Sequence, residues 1–244
     1  MLPQPQGPLA GYGFVVALRR EARTLCARPP KPGQIVSLDR GCWLGVSGMG
    51  AARARETALM LIAQGVRGIV SWGTCGGLAP ELPAGSLIVA RHVLATDGVR
   101  YETSGPSAAL LARALRSPVR SGALLSVADP VATVQDKALL YQRYGALGVD
   151  MESAELVRTA AQCGVECWVL RVVVDPAGDA LPMAVVRAVD PLGRIHLWPL
   201  LTTLGINPER WQELRRLAYH FRAARHTLTT LAALLQPGDT KSLR

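Results

Sequence analysis

Short apolar runs alternate along this chain with stretches in which apolar residues recur every three or four positions. The runs at 12–18, 43–46, 68–72, 86–93, 121–127 and 166–174 have the length of strands. The stretches at 51–64, 108–115, 137–144, 154–163 and 209–235 have the helical period. The run at 166–174 is apolar at nearly every position and broken by Arg171, as expected of a strand covered on both faces. This alternation predicts an α/β domain whose central sheet is mostly parallel or mixed and flanked by helices.

One region departs from that rhythm. Residues 181–208 are apolar but punctuated by Pro182, Pro191, Pro199 and Pro208. Proline interrupts both helix interiors and strand ladders, so an irregular excursion with buried or otherwise covered side chains is expected there. Residues 1–11 carry no such pattern and are expected to be flexible; 209–236 should form a basic C-terminal helix. At 244 residues, 1–244 is expected to be a single domain.

Composition narrows the partners. The net charge of +9 would suit an anionic ligand, a membrane surface or nucleic acid. The arginines are spread along helical segments without aromatic interleaving, so nucleic acid is not an expected partner. Five scattered cysteines suit reduced thiols rather than a disulfide framework. Cys163 and Cys167 lack a second ligand pair, and the four histidines form no metal-binding motif, so neither a metal nor a redox cofactor is expected. His220 and His226 read as solvated residues of the basic helix. With no apolar run long enough to span a bilayer and no signal-peptide pattern at the start, a cytoplasmic protein is expected, with contact at a membrane surface left open.

The chemistry-bearing residues fall where strands end. Asp150 and Glu152 sit where a short apolar run gives way to a helix, and Asp175 closes the strand at 166–174. In open α/β sheets, ligands bind outside the carboxyl ends of strands. Thr74, Cys75, Gly76 and Gly77 belong to a glycine loop expected after the strand at 68–72, where backbone can approach a ligand; a tight turn is the plain alternative. Ser47 and Gly48 precede the helix at 51–64 and could bind an anion or merely cap it. Glu21 follows the first strand, where it could activate water or simply favour a first helical turn. Arg171 lies on the same strand face as Asp175 and is expected to pull the acidity of that carboxyl the wrong way if it sits close.

Taken together, these pieces resemble the nucleoside phosphorylase and nucleosidase superfamily, nearest its methylthioadenosine/S-adenosylhomocysteine nucleosidases. In order along the chain they are Glu21, SGMG at 47–50, GTCGGL at 73–78, LPAGSLIV at 82–89, DMES at 150–153 and RVVVDPAGD at 171–179. Order and co-occurrence are far more specific than any single motif. The resemblance implies a nucleoside phosphorylase-like fold, cleavage of an N-glycosidic bond and a homodimer. It implies that Asp175 protonates the purine, Glu152 binds the ribose hydroxyls with Met151 against the sugar, and Glu21 activates the attacking water. Ser47 and Gly48 would lie beside the nucleophile, and 74–77 along base and sugar. Val174 departs from the pattern, which places a small hydroxyl before the acid and uses it for orientation.

The tail resembles the hopanoid-associated subgroup, whose implied substrate is adenosylhopane, a lipid-linked nucleoside from which adenine is removed. The runner-up is methylthioadenosine or S-adenosylhomocysteine; a nucleoside-binding protein without catalysis is a third reading. Water and phosphate both stand open as nucleophile, phosphate then being a co-substrate. Glu21 would repel phosphate, and Arg19, Arg20 and Arg23 would attract it.

Overall fold

The computed structural model describes residues 9–181 and 208–235. Among these residues nine strands form one mixed sheet: β1 (Tyr12–Val16), β2 (Gln34–Ser37), β3 (Trp43–Val46), β4 (Gly68–Gly77), β5 (Leu87–Ala95), β6 (Arg100–Glu102), β7 (Val119–Ser126), β8 (Gly148–Asp150) and β9 (Glu166–Asp175). The helices are α1 (Arg19–Ala22), α2 (Ala51–Ile62), α3 (Ala108–Ala114), α4 (Val134–Tyr144), α5 (Ser153–Gln162) and α6 (Pro208–Leu235). The expected α/β class with a central mixed sheet is what forms. The short strands β2, β6 and β8 and the single turn α1 fall outside the elements read from the sequence, residues 148–150 reading there only as the end of a short apolar run.

The sheet closes on itself beside the site. Strand β4 pairs with β9, β9 with β5, β5 with β7, β7 with β8, and β8 returns to β4. β4 and β9 run parallel, whereas β8 meets β4 antiparallel, placing Val149 opposite Gly76. Outside this ring β1 joins β4 and β3 in parallel, and β2 adds an antiparallel edge.

Strand β9 is apolar at successive positions because helices cover both its faces. Leu170, Val172 and Val174 pack with Trp72 and with Leu228 and Leu231 of α6. Val169 and Val173 pack with Leu61 of α2 and Leu156 of α5. The inward stripe of α2 is Ala54, Thr57, Ala58 and Leu61, the i, i+3, i+4, i+7 spacing that keeps side chains on one face. Thr133 caps α4 by accepting the Asp136 amide at 3.0 Å, and Gly145 ends it in the left-handed conformation.

Two sequence expectations change. The glycine stretch is not a loop after β4: the strand continues to Gly77, with a register shift between Cys75 and Gly76 against β9. The start is ordered nearer the terminus than expected, since Leu9 and Ala10 are buried and the Gly11 amide donates to the Arg40 carbonyl. Residues 1–8, most of the 181–208 excursion and residue 236 of the expected helix lie outside the described residues. Leu181 is described, and its amide donates to the Ala132 carbonyl at 2.8 Å.

Candidate active site

A cavity of about 160 Å³ opens where β1, β4, β8 and β9 end or cross. Glu21, Thr74, Cys75, Gly76, Met151, Glu152 and Asp175 line it together, joined by Met49, Asp150 and Arg171. Residues separated by up to 154 positions thus share one wall system. Ser47, Gly48 and Gly77 do not line it. The Ser47 hydroxyl, buried, donates to the Gly48 carbonyl at 2.6 Å, so the 47–50 loop offers the cavity Met49 instead.

Glu21 sits in the first turn of α1, and its buried carboxylate accepts three hydrogen bonds. Oε1 takes the Thr74 hydroxyl at 2.6 Å and the Thr74 amide at 2.9 Å, while Oε2 takes the Leu18 amide at 3.2 Å. A place in the first helical turn and a place in the cavity wall therefore coexist in one residue. Gly73 makes room for this: with φ at 155°, a Cβ there would stand 2.7 Å from Arg171 Nη1 and 3.0 Å from Glu21 Oε2. Any side chain at 73 would push both groups out of place.

Arg171 does not serve as the cation beside Asp175. Its Nε donates to Asp150 Oδ2 at 2.9 Å, and Nη2 reaches the same oxygen at 2.8 Å and Ser71 Oγ at 2.8 Å. Asp150 also accepts the Ser153 amide and hydroxyl, fixing the entry to α5. Charge and donors are matched within this buried cluster, as such a pair requires. The expected pull of Arg171 on Asp175 is thus replaced by a different arrangement.

The cation at Asp175 is Lys137 of α4, fully buried, with Nζ 2.7 Å from Asp175 Oδ2. Burial pushes the Asp175 carboxyl up to about 6, and the Lys137 ammonium works in the opposite direction. The sequence reading missed Lys137. Its one signal was a cation near a helix N-terminus, where the dipole disfavours positive charge unless something compensates.

Glu152, at the N-terminal boundary of α5, accepts the Gly50 amide on Oε1 at 2.8 Å; its Oε2 lies 3.8 Å from Arg171 Nη2. Burial raises its carboxyl to about 7, with Asp150 adding repulsion and Arg171 opposing it.

A second cavity, of about 360 Å³, shares Glu21 and Thr74 with the first. Helix α6 supplies Ala218, Phe221 and Leu228 to its wall, with Arg222 and Arg225 also lining it. The Arg20 guanidinium stacks on Phe221 at 4.2 Å. His220 of α6 is not a freely solvated histidine: Nδ1 lies 3.4 Å from Asp179 Oδ2, beside Arg216 at 3.2 Å from Oδ1. Among the described residues no cluster of His, Cys, Asp and Glu is arranged to hold a metal ion.

A fold with four buried carboxylates around one cavity, Glu21, Asp150, Glu152 and Asp175, defines a class that comparison makes explicit. Residues 32–191 match the family described as the Phosphorylase superfamily, and the chain belongs to it. The chain is 35% identical over 180 residues to the futalosine hydrolase of Streptomyces coelicolor, covering 61% of this chain and 77% of that protein. It is 26% identical over 147 residues to the aminodeoxyfutalosine nucleosidase of Helicobacter pylori, covering 52% of this chain and 64% of that one. Among solved structures it matches the H. pylori 5'-methylthioadenosine/S-adenosylhomocysteine nucleosidase with butyl-thio-DADMe-Immucillin-A, at TM-score 0.67 and 18% identity, over 93% of this chain and 98% of that one. It also matches native futalosine hydrolase of H. pylori, at TM-score 0.66 and 18% identity, over 93% and 97% of the two chains. The protein is an enzyme that cleaves N-glycosyl bonds of small-molecule nucleosides.

Proposed function

We propose that the enzyme releases adenine from a 5'-modified adenosine, with adenosylhopane as substrate and water as nucleophile. The observation that carries the site roles is that Glu21, Glu152 and Asp175 face one cavity while each is held by a different set of partners.

Asp175 is the general acid. With its carboxyl raised to about 6, roughly one molecule in ten carries the proton at pH 7, against about one in a thousand for an ordinary aspartate. The proton passes to the purine, which becomes a better leaving group as positive charge grows on the sugar. Glu152, tied to the Gly50 amide through Oε1, accepts from the ribose hydroxyls, with Met151 beside the sugar. Glu21 takes a proton from the attacking water, and the Thr74 donors hold it in place. Arg19 is turned to the Pro29 carbonyl at 3.2 Å, and the Glu21 carboxylate would repel an incoming phosphate, which favours water. Ser47 and Gly48 then shape the 47–50 loop, and Cys75, Gly76 and Gly77 the strand along the base. We assign no metal or redox cofactor a part in the reaction.

The 5' substituent leaves the sugar toward the second cavity. Ala218, Phe221 and Leu228 in its α6 wall suit a hydrocarbon chain, since each buried methylene contributes about 0.8 kcal/mol. The exposed Arg215, Arg222 and Arg225 suit contact with an anionic membrane surface that holds such a substrate. We further propose a homodimer. A second reading, futalosine or aminodeoxyfutalosine as the nucleoside, is favoured by the 35% identity to the S. coelicolor hydrolase.

The deciding experiment measures base release from adenosylhopane, methylthioadenosine, S-adenosylhomocysteine and futalosine, with and without phosphate. Highest kcat/KM on adenosylhopane, with a free sugar as product in both buffers, is expected. Preference for one of the short nucleosides would sink the lipid assignment, and a sugar phosphate would sink the role given to water.

A further inference from the structure

Lys137 is a fully buried charged group to which the proposed reaction gives no role. Its Nζ reaches four oxygens of one turn: Asp175 Oδ2 at 2.7 Å, the Asp175 carbonyl at 3.1 Å, the Pro176 carbonyl at 3.0 Å and the Asp179 carbonyl at 2.8 Å. An ammonium has three N–H donors, so these contacts use all of them and share one. From the other side, Asp179 is gripped by Arg216 and His220 of α6. Val174, directly before the acid, packs into the apolar core and has no polar group to turn the carboxyl. Stability alone does not explain a lysine here, because replacing a buried ion pair by apolar groups is often neutral or stabilising.

We propose that Lys137 is the positioning residue for Asp175, fixing the direction of the carboxyl through the ion pair and the 175–179 turn through the carbonyl contacts. The inference rests on Asp175 being the acid. When Asp175 hands its proton to the base it becomes a carboxylate beside an ammonium already in place, so the pair is strongest after the transfer. Burial favours loading the proton and Lys137 favours releasing it. The other charged group facing Asp175 is Asp179 of its own turn, which raises its pKa and is itself countered by Arg216, with the His220 ring beside it; Cys75 of β4 is the neighbouring thiol, held neutral by burial.

The test compares Lys137→Gln and Lys137→Met with Asp175→Asn and with the Lys137→Gln/Asp175→Asn double variant. Adenine release from adenosylhopane gives kcat and KM, and ¹³C NMR of the Asp175 carboxyl, identified by its loss in Asp175→Asn, gives its titration without any substrate. Without Lys137 the titration should move up by about 1 unit or more, the scale of a removed close countercharge. The Lys137 variants should lose about tenfold or more in kcat with little change in KM, and the lysine change should cost nothing further in the Asp175→Asn background. An unmoved titration, or full additivity in the double variant, overturns the role of Lys137. Failure of both single variants to fold also overturns it, making the lysine a structural residue. Normal turnover by Asp175→Asn would instead overturn the acid assignment itself.

Discussion

Glu152 Oε1 accepts the backbone amide of Gly50 at 2.8 Å, joining the loop before α2 to the start of α5 across 102 residues. One carboxylate oxygen is thereby committed to protein, and the direction in which the group faces the cavity is set by a main-chain donor.

Glu152→Gln should therefore weaken ribonucleosides far more than their 2'-deoxy counterparts. A hydrogen bond to a charged group is worth about 1.5–3 kcal/mol, so a loss of roughly ten- to a hundredfold in kcat/KM is expected on the ribo substrate. The ratio of the two losses is the measurement. Equal losses would make Glu152 a carboxylate that only starts a helix.

Asp175→Asn removes the proton but keeps the shape of the acid. Turnover should fall by about 10²–10⁴, the range for general acid catalysis, while circular dichroism stays that of the wild type. Near-normal turnover in the folded variant would falsify the proposed acid.

The pH dependence follows from two opposed requirements. In the proposed roles Asp175 must carry its proton and Glu152 must be ionised; burial raises the first to about 6 and the second to about 7. Activity as acid is lost as pH rises through the first value, and hydroxyl binding is lost as pH falls through the second. The competent form is then a minority, of order one-twentieth of the enzyme at its maximum, and kcat/KM should trace a bell centred near pH 6.5. A profile still rising at pH 8 would contradict this pairing of states.

Gly73→Ala should disturb two charged groups at once, since the added Cβ meets Arg171 Nη1 at 2.7 Å and Glu21 Oε2 at 3.0 Å in a backbone conformation L residues avoid. A destabilisation of about 1–3 kcal/mol is expected, read as a fall in denaturation midpoint, together with loss of turnover. An unaltered midpoint and rate would show that neither group needs its present place.

Phe221→Ala tests the second cavity as the proposed place of the 5' tail. It removes an apolar wall and the surface on which Arg20 stacks. A long-chain 5' substituent should lose about tenfold or more in kcat/KM, whereas methylthioadenosine should be little affected. Equal effects on both would place the tail elsewhere.

The chain announced most of its elements through period and punctuation. The runs on β1, β3, β4, β5, β7 and β9 and the periodic stretches on α2 to α6 are where local pattern predicts them, because burial of one face or both leaves a mark on every second or every third to fourth residue. Edge strands β2 and β6 left little mark: three or four half-exposed residues bury too few side chains to generate a pattern. The motif residues Glu21, Glu152 and Asp175 were legible because carboxylates stand out where an apolar run ends, and Thr74 because of the glycines around it.

What the sequence by itself determined was the alternation of elements, the α/β class and the residue types available for chemistry, since each depends on neighbours along the chain. Only the tertiary structure decided the partners. β8 enters antiparallel to β4 and closes the sheet, carrying Asp150 to Arg171 and thereby removing that guanidinium from Asp175. Lys137, read as one more residue of an amphipathic helix, faces inward onto the acid 38 positions away. Which buried charge meets which is fixed by strand pairing and helix packing over long sequence separations, and no local periodicity encodes it.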